Sequence, residues 1–362
     1  MQLTIELPAL KTLVTKLIGA VERKNTIPAL ANIALITDGD ILTGKATDLD
    51  IEVTAQAPAV ITQQGSTTVS AAMLKGIVDK MPAGALVSLT LADHVLTVKA
   101  GKSRYELQTL PIEDFPRMAS SEYQHSFTMQ SHDLARLFNL SKGAMSTEET
   151  RYYLQGVYFH PTPDNDLCGV STDGHRLYKV TTPAHVTFPG VIVPRKTVAE
   201  LVKTLDIGDV VVSVSASKIK FDMGAVTIVS KVIDGTFPDY TRVIPEKNDN
   251  HITANAGDMK AAADRVATVA DDRARAVKIE VSDGVARLTT RGNGANLAED
   301  EVAVSYGGPA LSWGVNSKYF AEILAQCSGQ DVTLECGNSD APILVRPCDD
   351  KNAVYVVMPM RV

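Results

Sequence analysis

The feature that most constrains this 362-residue chain is an internal repeat with a period of about 120 residues. Each third begins with an amphipathic segment in which apolar residues recur at helical spacing, starting at Leu10, Leu134 and Met259. These starting points lie 124 and 125 positions apart. Self-similarity at a fixed period indicates one structural unit used several times. The sequence therefore predicts three similar domains.

A second helix is predicted in each third, followed by strand-like alternation. Its start is marked by Ser70, Pro194 and Asn316, residue types that favour the cap or first turn of a helix. The alternating segments that follow are 86–91, 210–214 and 331–335. Each unit thus reads as helix, strands, helix, strands, an α+β arrangement in which two helices pack on antiparallel sheets. The predicted domains are 1–122, 123–248 and 249–362.

The composition is that of a folded protein, with 45% hydrophobic and 21% charged residues. The four cysteines show no paired spacing, which predicts reduced thiols and neither disulfides nor a zinc site. The N-terminal residues lack the apolar core of a signal peptide, and no run of about 18 apolar residues could span a bilayer. We therefore expect a cytoplasmic protein with no metal, no cofactor and no membrane partner.

The net charge of −7 disfavours a nucleic-acid partner, because DNA-binding proteins neutralise phosphates with Lys and Arg. The predicted helices are 8–24, 70–80, 131–147, 194–205, 257–275 and 316–326. They contain 16 Lys and Arg against 9 Asp and Glu, so the rest of the chain holds the acidic excess. If the helices share one surface, that surface attracts a polyanion without reading its sequence. The alternative is that helices simply tolerate basic residues.

One string has the spacing of a phosphate-binding loop. Residues 39–45, GDILTGK, carry its glycines and lysine, but Ala46 stands where the motif needs Ser or Thr. The flanking residues read as two strands around an Asp-Gly turn. The sequence therefore predicts a β-hairpin here and no nucleotide site.

Four polar residues, Asp48, Asp50, Asp173 and His175, could be read as a metal or acid–base cluster. However, each Thr-Asp pair, at 47–48 and at 172–173, lies at the same place in its repeat, 125 positions apart. Side-chain oxygens of such pairs commonly bond nearby backbone N–H groups in turns. We therefore interpret them as turn residues and expect no catalytic residue in the chain.

Four longer strings carry a family resemblance: RYYLQG at 151–156, STDGHRL at 171–177, FPDYTRVIP at 237–245 and YVVMPMRV at 355–362. Together they resemble the bacterial β sliding clamps, the processivity subunits of replicative DNA polymerases. The resemblance spans the whole chain. It implies a head-to-tail homodimer in which each chain forms half of a closed ring, with helices inside and sheets outside. Double-stranded DNA would thread the ring without sequence specificity, so topology and not affinity would hold the protein on DNA.

The resemblance also implies a peptide-binding cleft between the second and third domains. Its expected partners are the DNA polymerase III catalytic subunit, the clamp loader, translesion polymerases, mismatch-repair proteins and ligase. The matching residues are Leu154, Thr172, Gly174, His175, Arg176, Leu177, Pro238, Arg242, Val243, Asn316, Tyr319, Met358, Pro359, Met360 and Arg361. Apolar residues with a few polar anchors are the usual composition of a peptide site.

Two further sets of residues follow from the resemblance. Expected DNA contacts are Lys24, Lys102, Arg104, Arg151, Tyr152, Tyr153, Arg195 and Lys196. The expected dimer interface places Tyr105 and Leu107 of the first domain against Thr268 and Val269 of the third. Departures from the family pattern are Ala72 and Glu148 at DNA positions, and Ala274 and Val362 at the cleft. They predict weaker DNA contacts and a roomier pocket.

Two other classes of function stay open on the sequence. One is a peptide-binding scaffold of the same fold that does not encircle DNA, which the balanced charge of the third unit's helices favours. The other is a metal-dependent hydrolase centred on the four polar residues of the Thr-Asp turns.

Overall fold

The computed structural model describes residues 1–22, 27–271, 275–292 and 296–362. Within these ranges the α-helices are α1 (Leu7–Leu17), α2 (Ala71–Lys80), α3 (Ser131–Ser141), α4 (Arg195–Thr204), α5 (Ala256–Val266) and α6 (Ser317–Gln326). The bounds of α1, α3 and α5 repeat at offsets of 124 and 125 residues, and those of α2, α4 and α6 at 124 and 122. The predicted threefold repeat is confirmed.

The first helix of each repeat is shorter than predicted. α1 ends at Leu17, and in the second and third repeats 3₁₀ turns at Lys142–Ala144 and Ala267–Val269 follow α3 and α5. Apolar spacing continues past the helix ends, which is why periodicity alone overestimated their length. The observed helices contain 11 Lys and Arg against 6 Asp and Glu, so their basic excess is smaller than predicted but persists.

The strands alternate with the helices along the chain. The first ten are β1 (Gln2–Glu6), β2 (Asn32–Asp38), β3 (Ile41–Thr47), β4 (Ile51–Pro58), β5 (Val60–Gln63), β6 (Ser66–Ser70), β7 (Leu86–Ala92), β8 (Val95–Ala100), β9 (Ser103–Leu110) and β10 (His125–Gln130). The next seven are β11 (Gly156–Pro161), β12 (Leu167–Thr172), β13 (Arg176–Thr182), β14 (Val191–Pro194), β15 (Asp209–Val214), β16 (Lys218–Asp222) and β17 (Val226–Lys231). The last eight are β18 (Asn250–Asn255), β19 (Ala276–Ser282), β20 (Val285–Arg291), β21 (Leu297–Ser305), β22 (Leu311–Asn316), β23 (Asp331–Cys336), β24 (Ile343–Pro347) and β25 (Ala353–Val357).

The chain divides into two compact units, and the division passes through the second repeat. The first unit comprises Met1–Ala135 and Lys196–Val232, and the second comprises Arg136–Arg195 and Ile233–Val362. In the first unit the strand order is β10-β15-β16-β17-β4-β3-β2-β6-β9-β8-β7-β1-β5. In the second it is β14-β11-β12-β13-β25-β24-β23-β18-β21-β20-β19-β22.

Within each unit, one antiparallel strand pair joins two repeats, and we call such a pair a seam. In the first seam β4 pairs with β17, with Ile51 opposite Ser230. In the second seam β13 pairs with β25, with Arg176 opposite Val357. β4 and β13 are each the third strand after the first helix of their repeat, whereas β17 and β25 are the third after the second helix. Both seams therefore follow one pairing rule.

The two remaining strands of this kind have an open edge. β9 pairs with β8 from Ser103 to Gln108, but with β6 only at its last two residues. β21 likewise pairs with β20 from Leu297 to Ala303, but with β18 only at its end. In the described part of the chain, most of β9 and most of β21 thus lack a strand on one side.

The cores are built from the stripes that the sequence marks. On α1 the side chains of Leu10, Leu13 and Leu17 are buried, which is the apolar face predicted for it. Burial of one such side chain contributes about 1.5–3 kcal/mol. The predicted hairpin is also confirmed, since β2 and β3 pair across a turn in which Gly39 has a φ of +54°. Among the described residues, no helix is long and apolar enough to cross a membrane.

Candidate functional site

Two turns with the same hydrogen bonds precede the seam strands β4 and β13. Asp48 Oδ1 accepts hydrogen bonds from the N–H groups two and three residues further on, at 2.9 and 2.8 Å. Asp173 Oδ1 accepts the equivalent pair at 2.9 and 3.1 Å. The hydroxyls of Thr47 and Thr172 each donate to the carbonyl four residues on, at 2.8 and 2.7 Å. The turn interpretation of these residues is confirmed.

The second oxygen of each aspartate holds a cation. Asp48 Oδ2 lies 2.5 Å from Lys196 Nζ, and Asp173 Oδ2 lies 3.1 Å from Arg176 Nε. Both oxygens of each carboxylate therefore have partners within the same compact unit. In the described ranges, no three His, Cys, Asp or Glu side chains gather closely enough to hold a metal ion.

These turns predict a stability difference between neighbouring aspartates. Replacing Asp173 with Ala removes two backbone hydrogen bonds and one partner of a buried cation, so the free energy of unfolding should fall by about 1–3 kcal/mol. Asp48→Ala should have a similar effect. Asp50→Ala is the matched control, because that side chain is 77% exposed and its ion pair with Lys231 is on the surface. Urea unfolding followed by circular dichroism measures all three, and equal losses would contradict the assignment.

Arg176 is the centre of the predicted cleft. Its side chain is only 9% exposed and bonds both Asp173 and Glu322, which lies on α6. The guanidinium carbon also lies 4.5 Å from the ring centre of Tyr319, on the same helix. A buried cation with two carboxylates and an aromatic face is strongly oriented. It fixes the end of a second-repeat strand against a third-repeat helix.

The C-terminal residues lie beside this arginine. Met358 N–H donates to the carbonyl of His175 at 2.9 Å, and Met360 N–H donates to the carbonyl of Gly314, also at 2.9 Å. The ring of His175 stacks on Tyr319 with 6.0 Å between centres. Hence the turn before β13, helix α6 and the chain end meet around one surface.

The apolar members of the predicted cleft differ in exposure. Leu154 and Leu177 are buried in one hydrophobic cluster, whereas Val243 and Met358 are exposed. Pro238 is exposed as well, and Pro359 is half-buried. The predicted cleft thus combines buried leucines with exposed apolar side chains, a composition that suits an apolar ligand.

Three further members of the predicted cleft have structural roles within the chain. Asn316 caps α6, because its side-chain oxygen accepts hydrogen bonds from the N–H groups of Lys318 and Tyr319. Gly174 has a φ of +89°, which other residues rarely adopt. Arg242 bonds Asp239 through Nε at 2.9 Å. Arg361 is exposed at the chain end.

The segment that carries Arg242 and Val243 is anchored by residues that the predicted cleft did not include. The ring of Tyr158 stacks between His160 and Phe237, with 4.5 and 5.0 Å between ring centres. Tyr240 Oη lies 3.2 Å from His160 Nε2. Because Tyr240 begins the 3₁₀ turn Tyr240–Val243, this stack positions that wall of the cleft. No local pattern identifies these partners.

The buried histidine predicts a pH dependence. Burial, which disfavours the charged ring, lowers the pKa of His160 below its usual value. The unfolded chain then binds the proton more readily, so this contribution to stability is full above about pH 6.5 and declines as the pH falls below it. His160→Phe keeps an aromatic ring on Tyr158 but should remove that part of the decline. Melting temperatures of both proteins at pH 7.5 and 5.5 test this, and identical declines would contradict it.

Several predicted DNA contacts are engaged within their own unit. Arg195 donates to the carbonyls of Met145 and Ser146, and Lys196 bonds Asp48. Arg104 pairs with Glu106, whereas Lys102 is exposed. Lys24 lies outside the described residues.

Other predicted contacts cluster before β11. Arg151 lies 3.2 Å from Glu148, one of the departures noted above, and donates to the carbonyl of Asp173 at 3.3 Å. Tyr152 is exposed, and its ring meets Tyr153 edge to face with 5.7 Å between centres. Pairing with Glu148 reduces the net positive charge of this surface.

The predicted dimer residues lie at the two open edges. Tyr105 and Leu107 are on β9, where Tyr105 is half-buried and Leu107 is buried within its own chain. Thr268 and Val269 belong to the 3₁₀ turn that packs beside β21. Ala72 is exposed on α2 and Val362 is exposed at the chain end, while Ala274 lies outside the described residues.

Comparison with known families covers nearly the whole chain. Models of the DNA polymerase III beta subunit match consecutively: the N-terminal domain at residues 1–119, the central domain at 128–239 and the C-terminal domain at 241–361.

Individual relatives agree with these models. The beta sliding clamp of Caulobacter vibrioides is 41% identical over 372 residues, and that of Escherichia coli K12 is 33% identical over 368, each match covering 100% of both chains. A crystal structure of the Bartonella birtlesii sliding clamp bound to griselimycin has a TM-score of 0.96 at 38% identity, with 100% of both chains covered.

Three copies of one two-helix unit, joined edge to edge by a repeated strand pairing, define the class of sliding clamps. The relatives agree at full length with this architecture. The chain belongs to the DNA polymerase III beta subunit family, the bacterial beta sliding clamps. It is a non-catalytic processivity factor, and the hydrolase interpretation is wrong.

Proposed function

We propose that two copies of this chain join head to tail into a closed ring that encircles duplex DNA in the cytoplasm. Each copy contributes three domains, with boundaries at 1–122, 123–248 and 249–362. The observation that carries the proposal is the pairing rule of the seams. Strands equivalent to β4 and β13 pair with strands equivalent to β17 and β25, which leaves β21 and β9 as the unused pair.

Pairing of β21 in one copy with β9 in the other satisfies this rule in both directions. A head-to-tail interface of this kind leads to a ring when its rotation closes. Charge supports the match through fewer groups than the sequence offers: Lys102, just before β9, is exposed and β21 carries Glu299, but Arg104 pairs with Glu106, Asp300 with Arg265 and Glu301 with Arg287. An exposed strand edge also requires a partner to avoid uncontrolled association.

Binding of DNA in this ring is loose. The helices carry a modest basic excess, and Arg195 and Lys196 already have partners within their units. Among the described residues, cations that already have partners gain less from phosphate contacts than free ones would. The ring therefore stays on DNA because it surrounds the duplex.

The cleft around Arg176 binds the client proteins. Its buried leucines, exposed apolar rim and oriented cation suit a short peptide with apolar anchors. The proposed clients are the catalytic subunit of DNA polymerase III, the clamp loader, translesion polymerases, mismatch-repair proteins and ligase. Flexible Met358 and Met360 favour one site with several ligands.

A scaffold that binds peptides without encircling DNA is the second candidate. In the third repeat Lys260 pairs with Asp264, at 2.6 Å, and Lys318 lies 3.9 Å from Glu322, so its helices carry no net charge. This observation favours a helix surface that does not attract DNA electrostatically. It applies to only one of the three repeats.

The solution mass tests the ring directly. Sedimentation equilibrium at micromolar concentration should give about twice the chain mass of 38.7 kDa. A stable monomer would leave both open edges unpaired and would refute the proposal, because half a ring cannot hold DNA topologically.

A further inference from the structure

We infer that the contact between two copies repeats the helix contact of the first seam, with Arg265 of one copy capping α2 of the other. The inference rests on the proposed head-to-tail ring and adds the residues that build its interface. We call this intermolecular contact the third seam. Its design can be read from the first seam, where both partners belong to one chain and to one compact unit.

At the first seam, a lysine on one repeat caps a helix of the next. Lys16 Nζ, near the end of α1, donates to the carbonyls of Lys203 and Thr204 at 3.3 and 3.2 Å. These are the last two carbonyls of α4. Terminal carbonyls lack partners within the helix and form the negative end of its dipole, so a cation there is favourable.

The repeat offsets transfer this contact to the open edges. An offset of 249 residues, from α1 to α5, puts Arg265 in the position of Lys16. An offset of 124, from α4 to α2, puts the carbonyls of Asp79 and Lys80 in the position of the capped pair. In the described part of the chain, neither of these two carbonyls accepts a hydrogen bond. The donor, Arg265 on α5, and the acceptors, the last two carbonyls of α2, thus lie on separate elements.

Arg265 is placed at the correct edge for this role. Its side chain is 60% exposed, and its Nε lies 2.5 Å from Asp300 on β21, the strand with an open edge. The ion pair holds the guanidinium beside that strand. The carboxylate of Asp79 already pairs with Lys75 and Lys11, and Lys80 is the last residue of α2, so the terminal carbonyls and not a net negative charge would attract Arg265.

A glycine on α2 supports the same contact independently. At the first seam Gly19 makes room for Glu200, since a Cβ built on Gly19 would lie 1.8 Å from Glu200 Oε2. The offsets place Thr268 and Gly76 at the equivalent positions of the third seam. A glycine inside a helix is destabilising by about 0.5–1 kcal/mol relative to Ala, yet a Cβ on Gly76 meets nothing within 4 Å. The missing side chain is explained if Thr268 of the partner occupies that space.

The exposed face of α2 completes the pattern. Met73 is 61% exposed, whereas its equivalent on α4, Thr197, is 1% exposed and shares a hydrogen bond with Ser230 on the seam strand β17. At the second seam Leu140 stands in the position of Lys16, and it packs against a hydrophobic cluster that contains residues of both the second and the third repeat. A position that is buried beside the first seam on α4 is thus exposed on α2.

The decisive variant is Gly76→Gln, because the two readings of this glycine predict opposite effects. A glutamine favours the helix, so the melting temperature of the dissociated chain should rise or stay unchanged. The same side chain would collide with the partner's Thr268, so the dimer dissociation constant should rise at least tenfold in sedimentation velocity. A dimer as tight as the unsubstituted protein would overturn the packing of Thr268 on Gly76.

A matched pair of variants tests the cap. Arg265→Met should raise the dimer dissociation constant about tenfold, whereas Arg265→Lys should restore it, because Lys16 performs the same task at the first seam. Lys16→Met is the control, since it removes the cap inside one chain and should leave dimerisation unchanged. If Arg265→Met dimerises as tightly as the unsubstituted protein, the cap does not exist.

The outcomes separate this inference from the proposed ring. An unsubstituted protein that sediments as a monomer would defeat the ring itself. An unsubstituted dimer that tolerates both Gly76→Gln and Arg265→Met would leave the ring standing and refute only the third-seam contact.

Discussion

Linearising a circular DNA that carries the loaded protein should release nearly all of it, while intact circles should retain it. The reason is geometric: a closed ring leaves a duplex only at an end. The protein is loaded on nicked circles by a clamp loader with ATP, and the circles are then passed through a gel-filtration column at high salt. The protein that co-elutes with DNA is measured before and after cutting with a single-site nuclease.

Salt distinguishes topology from affinity in this experiment. A protein that neutralises several phosphates loses orders of magnitude in affinity as salt rises from about 50 to 200 mM. Retention on intact circles should instead hardly change. If linear DNA keeps the protein, or if salt strips it from circles, the encircling mechanism is wrong and the scaffold alternative gains support.

Arg195 and Lys196 both have partners within the chain, which explains why we expect the protein to stay on DNA only as a closed ring. Both residues look like phosphate ligands in the sequence, yet one bonds two carbonyls and the other bonds Asp48. A phosphate would have to compete with these partners. Weak contacts of this kind lower the barrier to sliding, because each step along the duplex breaks only weak interactions with the phosphates.

The parts of the fold that repeat or act locally could be predicted from the sequence. The stripe from Leu10 lies on one face of α1, and that face is buried. The turns at Asp48 and Asp173 use backbone groups only two and three residues away, so their residue types and spacing suffice to predict them. A pattern that lies within one helix or one turn can be recognised without any knowledge of the tertiary structure.

Contacts between distant segments could not be predicted in the same way. Arg176 and Glu322 are 146 residues apart, and His160 and Tyr240 are 80 residues apart. The residues around each partner contain no sequence pattern that identifies the other partner. The predicted helix ends were wrong for a related reason. The apolar period that begins at Leu10 continues beyond Leu17, where α1 ends.

The cleft required both kinds of information. The resemblance supplied its residues, but exposure separates those that a ligand can touch, such as Val243 and Met358, from those that shape the site. Asn316 is of the second kind, since it caps α6 and thereby places Tyr319. Substitution of such a residue changes the site by moving its neighbours.

The chain end is where the largest loss of peptide affinity is expected. Met360→Ala combined with deletion of Arg361 and Val362 should weaken binding of a polymerase-derived peptide at least about 100-fold, close to 2.7 kcal/mol. Met360 N–H bonds Gly314, and a Cβ built on Gly314 would lie 2.5 Å from a methyl carbon of Val362. The deletion therefore strips the surface beside β22 of its apolar cover. Isothermal titration calorimetry measures the affinity.

Two controls define what this loss means. Sedimentation should still give a dimer, because the truncated residues pack at Gly314 on β22, a strand that pairs with β19 and not with β21. Val362→Leu should bind at least as tightly as the unsubstituted protein, since the longer side chain adds apolar area at the same place. Undiminished affinity in the truncated protein would show that the peptide does not touch the chain end. The cleft would then have to be sought along Leu154, Leu177 and Val243 alone, with Arg176 as a structural cation and not as a peptide anchor.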